Sequence, residues 1–290
     1  MNKKISIVIP SYNSARLISK CISSLLLQKT KYKYEIIVVD SSKDNTPELI
    51  KSNYPEVEII HKKRKTMPGE ARNIGVKRAN GEIIAFIDSD CVAHSNWIDM
   101  SIKVINSGYS FAGGSVANAN PGIISTADYI QTFSEFLPGM PKKEIKFMPS
   151  CNFICKKKAF EKMGGFPKDL AVGEDTVFSY NVQKKYKMLF DPKLKVYHNN
   201  RTNLSDFIRH HINFGKASAK IRKQINLPGS ILAKFPLLAL LVPFVRFIRI
   251  FRRIIQFNLD ILPKSILSFP IIFFGIMVWS FGFIKSAYEK

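Results

Sequence analysis

Short β-branched runs constrain this chain more than any other feature. Ile5 to Ile9, Glu35 to Asp40, Val57 to Ile60 and Glu82 to Asp88 are each almost continuously apolar. Strands buried on both faces look like this, whereas strands with one wet face alternate. Between the first two runs, Leu17, Ile18, Cys21, Ile22, Leu25 and Leu26 recur at helical spacing, so Ser14 to Gln28 is expected to be a helix lying on the sheet. Repetition of strand, helix and strand predicts an α/β fold with a mostly parallel sheet flanked by helices.

The pattern continues downstream. Ser95 is an expected N-cap for a helix through Asn106, and Tyr109 to Val116 is expected to be a strand containing Gly113-Gly114. Pro149 to Phe166 predicts a strand, a basic helix and a stop at Gly164-Gly165. Gly173 leads into a helix from about Glu174 to Tyr186, with Glu174 and Asp175 in the first turn, where the helix dipole favours anions. A strand ending at Tyr197-His198 and a basic amphipathic helix from Asn203 to about Gln224 follow.

Asp88-Ser89-Asp90 stands where the fourth apolar run ends. Strand side chains alternate, so the two acids project to one side and Ser89 to the other. For these residues alone two readings stand: a polar turn, since Asp and Ser favour turns, and a divalent-cation site at the C-terminal sheet edge, where open α/β folds bind ligands.

Lys and Arg number 44 against 22 acids, a net charge of +22, which points to an anionic partner without choosing between nucleic acid, phospholipid and phosphorylated substrates. Cys21, Cys91, Cys151 and Cys155 contain no CxxC pair and suggest small apolar core residues in a reducing compartment. The apolar stretch before Pro10 is too short for a secretory signal, so the bulk of the protein is expected in the cytoplasm. Composition shifts near Pro228-Gly229, giving an expected division into 1–228 and 229–290. Ser265 to Ile284 has no charge in 20 positions, between Lys264 and Lys285, and is long enough for a transmembrane or re-entrant helix. Upstream, about 231–257, Arg246, Arg249, Arg252 and Arg253 interleave with Phe and Ile, the pattern of an interfacial basic helix on an anionic membrane surface. A two-span hairpin would put those arginines outside, against the positive-inside tendency.

Read in order, Ile7-Val-Ile-Pro-Ser-Tyr-Asn13, Ile36-Ile-Val-Val-Asp40, Ala71-Arg-Asn-Ile-Gly75, Asp88-Ser-Asp90, Gly164-Gly-Phe166 and Gly173-Glu-Asp175 resemble a family 2 glycosyltransferase of the GT-A fold, over roughly Ile5 to Gly215. The resemblance implies a Rossmann-like domain with C-terminal membrane-associated helices. It implies that Pro10, Ser11, Tyr12, Asn13 and Asp40 line the base and ribose pocket, and that Arg72 and Asn73 position donor phosphates or ribose. Asp90, helped by Asp88, would hold a divalent metal, Mn2+ or Mg2+, on the donor diphosphate, with Ser89 a spacer among the nucleotide-sugar contacts. Asp175 is implied as the base that activates the acceptor hydroxyl, with Glu174 the alternative, and plain helix N-terminal charge as the bland reading of both. His198 is implied as a third metal ligand, its alternative being an ordinary hydrogen-bonded histidine; a histidine ligand would suit Mn2+ better than Mg2+.

Two departures from the family pattern stand out. Ser41 occupies a place where members often carry a second acid, and no Gln-x-x-Arg-Trp occurs, the corresponding helix having Arg209-His210-His211. The second departure implies single-sugar addition. The whole implies an inverting hexosyltransferase that uses a nucleotide sugar, UDP-linked by preference, and a lipid-linked or glycan acceptor in cell-envelope synthesis, membrane-attached with its catalytic domain cytoplasmic and with no nucleic-acid partner. A Rossmann dehydrogenase lacks support because Pro-Ser-Tyr-Asn replaces the glycine turn after the first strand, and no GxxxxGK[ST] is present. The competing readings are a sugar-phosphate nucleotidyltransferase, which would normally carry a Gly-rich loop after strand one, and a non-enzymatic basic protein that binds membranes or nucleic acid.

Overall fold

The computed structural model describes residues 5–289. The chain order begins β1 (Ile5–Ser11), α1 (Ile18–Leu26), β2 (Tyr34–Asp40), α2 (Thr46–Asn53), β3 (Glu58–His61), α3 (Pro68–Arg78), β4 (Ile83–Ile87) and β5 (Cys91–Ala93). It continues with α4 (Trp97–Asn106), β6 (Phe111–Asn118), α5 (Ile123–Phe133), β7 (Lys143–Ile145), β8 (Asn152–Lys156), α6 (Lys157–Lys162), α7 (Glu174–Val182) and β9 (Met188–His198). The last stretch is helical: α8 (Leu204–Gln224), α9 (Ile231–Lys234), α10 (Val242–Phe257) and α11 (Leu262–Tyr288).

The four apolar runs become neighbouring parallel strands in the order β3-β2-β1-β4. Register puts Ser11 beside Asp40 and Asp40 beside His61, so three polar side chains meet where the strands end. The chain leaves β1 toward β2 on one side and reaches β4 on the other, and this reversal opens the crevice in which such sheets bind ligands. Beyond β4 the order continues β8-β6-β9-β5, with β7 on β9, and β8 runs antiparallel to both β4 and β6. The parallel half is what the apolar runs predicted; the antiparallel half arises because β8 starts where β4 ends, Asn152 pairing with Ile87.

Helix boundaries moved inward where side chains capture backbone groups. α1 starts at Ile18 instead of Ser14, because Asn13 adopts a left-handed conformation (φ 52°) and the Ser14 N–H donates to Thr46 Oγ1 at 3.0 Å. α4 begins at Trp97, and the Ser95 cap is not used: Trp97 N–H donates to His94 O at 2.9 Å. The four cysteines are free and buried, as small apolar residues would be, and burial pushes the Cys21, Cys91 and Cys155 thiols up. A cluster of Phe86, Phe153, Phe160, Phe166 and Phe178 fills one side of the sheet, with Phe166 and Phe178 centroids 4.6 Å apart.

The chain folds as two compact units, and their boundary is not residue 228. Among the described residues, one unit comprises 5–116 and 141–197; the other comprises 117–140 and 198–289. The amphipathic helix α8, expected to complete the first domain, packs with the C-terminal helices instead: Gly215 and Gly282 let α8 and α11 approach so closely that a Cβ at Gly215 would lie 2.1 Å from Trp279 O. Within this second unit Asp128, Gln131 and His211 are buried and mutually bonded, His211 Nε2 lying 3.1 Å from Asp128 Oδ1 and its Nδ1 3.0 Å from Gln131 Nε2. Arg201 completes the set through its N–H and guanidinium to Asp128 Oδ2. Among the described residues one helical stretch, Leu259–Tyr288, is long and apolar enough to cross a membrane.

Gly114 supplies a test of the first unit. A Cβ there would sit 1.6 Å from Leu194 O on β9, a backbone atom that cannot step aside. Gly114→Ala is expected to cost at least the ~1–3 kcal/mol of ordinary overpacking, read as a lowered thermal midpoint or loss of soluble protein; an unchanged midpoint would contradict this packing.

Candidate active site

Arg72 organises the edge of the sheet. It lies on α3, which packs against β1 through Gly75, where a Cβ would be 2.3 Å from Val8 Cγ1. Its side chain is only 2% exposed. Nη2 donates to Asp88 Oδ1 at 2.5 Å and Nη1 to Glu174 Oε1 at 2.7 Å, and the guanidinium lies 5.6 Å from the Phe166 ring centroid. Burial opposes the Arg72 charge, but Asp88 and Glu174 outweigh it and its pKa is raised. One cation thus holds the acid after β4 and the first acid of α7, which are far apart in sequence.

Asn73 is committed elsewhere. Its Nδ2 donates to Phe166 O at 2.8 Å and its Oδ1 accepts from Phe166 N–H at 2.9 Å. The turn it grips needs glycine, since Gly164 and Gly165 have φ of 80° and 76°, where a side chain is strained. Expected to touch donor phosphates or ribose, Asn73 is buried and clamps the turn that carries Phe166, while Arg72 spends both terminal nitrogens on carboxylates.

Glu174 and Asp175 differ sharply in environment. Glu174 is buried, and its Oε1 accepts from Arg72 and, at 3.5 Å, from Ser150 Oγ. Asp175 keeps part of its surface open; its Oδ2 accepts from the Ser150 N–H at 3.3 Å and its Oδ1 from the Thr176 N–H at 2.7 Å. Desolvation, and next the Glu174 charge, push the Asp175 carboxyl up to about 7. Its two backbone donors and Arg72 oppose that rise.

Asp40 is fully buried at the end of β2 and accepts four hydrogen bonds: Ser11 Oγ (2.8 Å) and Ser42 Oγ (2.6 Å) on Oδ1, and Ser42 N–H (3.0 Å) and His61 Nδ1 (2.8 Å) on Oδ2. These fill the roughly four acceptor sites of a carboxylate, so Asp40 fixes Ser11, Ser42 and His61 where the strands end. Asn13 joins the same turn, donating its N–H to Ser42 Oγ at 2.7 Å and accepting from Lys43 N–H at 2.9 Å. Pro10 is the penultimate residue of β1, and Tyr12 projects outward beneath Lys65, whose Nζ lies 4.2 Å from the ring centroid. Ser41, the departure noted in the sequence, is buried and accepts from Thr66 N–H at 3.2 Å.

Ser89 Oγ lies 2.9 Å from Ser14 Oγ, linking the turn after β4 to the turn after β1. Asp88 and Asp90 are both part-exposed, and Asp88 Oδ2 lies outside the Arg72 pair. Two hard carboxylates at one sheet edge fit a Mg2+ or Mn2+ ligand set. His198 ends β9 and belongs to the second unit, where it is buried, with Nδ1 3.0 Å from Asn200 Oδ1 and its ring 5.0 Å from Phe133.

Sequence reasoning missed Ser150 and His61. His61 was open to discovery, because β3 ends in line with Asp40; Ser150 was not, because its place follows from the antiparallel pairing of β8. Arg72→Met leaves Glu174 as a buried, uncompensated carboxylate. It is expected to destabilise the protein by about 3–5 kcal/mol in chemical denaturation, and a loss under about 1 kcal/mol would contradict the clamp.

Known proteins resemble this chain in sequence and in fold. Glycosyltransferase AglE of Haloferax volcanii is 30% identical over 177 residues, 59% of this chain and 58% of that protein. The chain spans about half the length of the characterised relatives it matches. Mannosyltransferase PcManGT from Pyrobaculum calidifontis, solved with GDP-Man and Mn2+, superposes with a TM-score of 0.62 at 18% identity, covering 100% of this chain and 88% of that one. TarS 1-349 of S. aureus with UDP-GlcNAc superposes at 0.54 with 17% identity, covering 98% and 90%. Residues 6–164, more than half of the chain, match Glycosyl transferase family 2, and the chain therefore belongs to that family and carries its GT-A-like fold.

Proposed function

We propose that this chain is an inverting, metal-dependent glycosyltransferase that moves one sugar from a nucleotide-sugar donor, UDP-linked by preference, to a lipid-linked or glycan acceptor at the cytoplasmic face of a membrane. The observation that carries this reading is the contrast within Glu174-Asp175: one acid is tied to Arg72 and the other is left part-exposed with a raised pKa. A single available base suits one direct displacement, which inverts the anomeric centre.

The pocket walls take the donor first. Ser11, Tyr12 and the Asp40–His61 pair border the base and ribose, and the Ser14–Ser89 contact closes the crevice between the turns after β1 and β4. Asp88, held by Arg72, and Asp90 would hold a divalent cation, Mn2+ or Mg2+, which supplies positive charge to the departing diphosphate. Asp175 accepts the acceptor hydroxyl's proton as that oxygen bonds to the anomeric carbon and the carbon–oxygen bond to the diphosphate breaks. Arg72 ties down Glu174, which leaves Asp175 as the acid open to the acceptor. Complexes of PcManGT with GDP-Man and of TarS with UDP-GlcNAc support the nucleotide-sugar class. The apolar helix α11 and the basic helix α10 support membrane attachment and, with it, a lipid-linked acceptor.

A raised carboxyl pKa means Asp175 is protonated and inactive as a base below about 7 and ionised above it, so kcat/KM should fall about tenfold per pH unit on the acid side and level off above neutrality. Asp175→Asn should retain donor binding and lose transfer by about 10²–10⁴, measured by sugar transfer from a UDP-sugar alongside calorimetric UDP binding. Equal loss of both would assign Asp175 to binding, and a wild-type chain that neither transfers nor hydrolyses any nucleotide sugar would sink the enzymatic reading.

A further inference from the structure

We propose that α11 lies along a bilayer instead of crossing it, and that its outward face, continued by α10, is a docking surface for a membrane of anionic phospholipid. This rests on the membrane attachment adopted above and states its geometry.

Length alone permits a span, but α11 is flanked by protein along its course. Near its start, Ser268 Oγ donates to Ile123 O on α5 at 3.1 Å, and Phe269 and Phe273 pack edge-on against Phe247 of α10. Its second half lies against α8, which runs in the same direction: Gly275 meets Phe207, Gly215 meets Trp279, and Lys223 Nζ donates to the carbonyls of Ser286 (3.0 Å) and Glu289 (2.6 Å). α8 carries Arg209, Lys216, Lys220, Arg222 and Lys223, with Arg209 and Lys220 exposed. Residues 207–215 of α8 lie against residues 275–283 of α11, so a hydrocarbon layer placed around residues 265–284 would take Arg209 and the adjoining Lys216 into lipid alongside it. Charges at that depth are strongly disfavoured unless they face a polar interior.

The opposite side of α11 is bare and apolar. Leu267, Phe274 and Phe281, spaced seven residues apart, are 68%, 44% and 61% exposed. At about 1.5 Å per residue they mark a stripe of roughly 20 Å along the helix. Phe244 of α10 touches Phe273 at 5.5 Å between ring centroids and still stands 59% exposed, so the two helices share one apolar surface. Arg249 and Arg252 on α10 and Lys264 and Lys285 beside the uncharged stretch of α11 are exposed. Apolar side chains with a basic accompaniment suit an acidic lipid surface. A second copy would bring the same positive charge to the face, whereas anionic headgroups neutralise it.

The two ends of α11 distinguish the geometries. Lys264→Cys and Lys285→Cys in the full chain, bound to sealed vesicles of phosphatidylcholine and phosphatidylglycerol, are treated with a membrane-impermeant maleimide; the native cysteines are buried, and unsubstituted protein gives the background. Both positions are expected to react from outside within about twofold of each other, since an in-plane helix has both ends on one side. Protection of one end until detergent is added would overturn the in-plane placement while leaving membrane attachment intact. Wild-type protein that fails to float with these vesicles would overturn attachment itself. Phe274→Asp should lower vesicle partitioning about tenfold or more, by the cost of placing a charge in the bilayer, with UDP binding unchanged. If it instead dissociates a dimer and leaves vesicle binding intact, the face belongs to a second copy and the proposal fails.

Discussion

One buried guanidinium carries the arrangement of the sheet edge. Arg72, Glu174 and Asp88 come from α3, α7 and the turn after β4, and the buried guanidinium bonds to both acids. A lone ion in a closed interior is costly, and pairing offsets that cost only when the hydrogen bonds are well made. Two charge-assisted bonds of 2.5 and 2.7 Å meet the condition. The helix that presents Arg72 is itself fixed by the Gly75 contact with Val8 and by the double bond from Asn73 to Phe166. Packing therefore sets the guanidinium, the guanidinium sets the acids, and the remaining acid, Asp175, has its pKa raised first by burial and next by the neighbour that Arg72 anchors.

Much of this was legible in the sequence, for physical reasons that differ by element. The parallel strands were plain because burial on both faces forces continuous apolarity, and Asp88-Ser89-Asp90 was plain because it follows such a run directly. The Glu174-Asp175 pair was visible as two acids after a glycine, but the division between them was not, since it depends on Arg72, 102 residues away. Asp40 stood out as the acid that ends β2, yet its four donors come from three segments and only the fold unites them. The helix α5 carries no clear apolar stripe because Asp128 and Gln131, polar by type, point into a bonded interior network. That network also explains why α8 departs from the expected domain division: His211 must reach Asp128 and Gln131, and Gly215 must meet α11.

Both units bury charge in bonded sets. In the first, Arg72 joins Asp88 and Glu174; in the second, Arg201 and His211 join Asp128, Arg246 donates to Gln131 O at 2.7 Å and Arg253 to Glu135 at 2.6 Å, while Arg249 and Arg252 remain outside. Two of the four arginines that suggested a membrane-binding helix thus hold α10 to α5 and the residues just after it, and the other two stay exposed, where the proposed lipid contact would use them. A high net positive charge made both uses possible without revealing which residue served which.

The pH dependence of kcat/KM for sugar transfer in Glu174→Gln tests most directly whether Glu174, pinned by Arg72, tunes Asp175 as the proposed base. Removing the negative neighbour and releasing the Arg72 charge both favour ionised Asp175, so the acid limb should move to lower pH by about one unit or more, a differential interaction of about 1.4 kcal/mol. An acid limb unmoved from the wild-type position, in a variant that still folds and binds donor, would contradict the account.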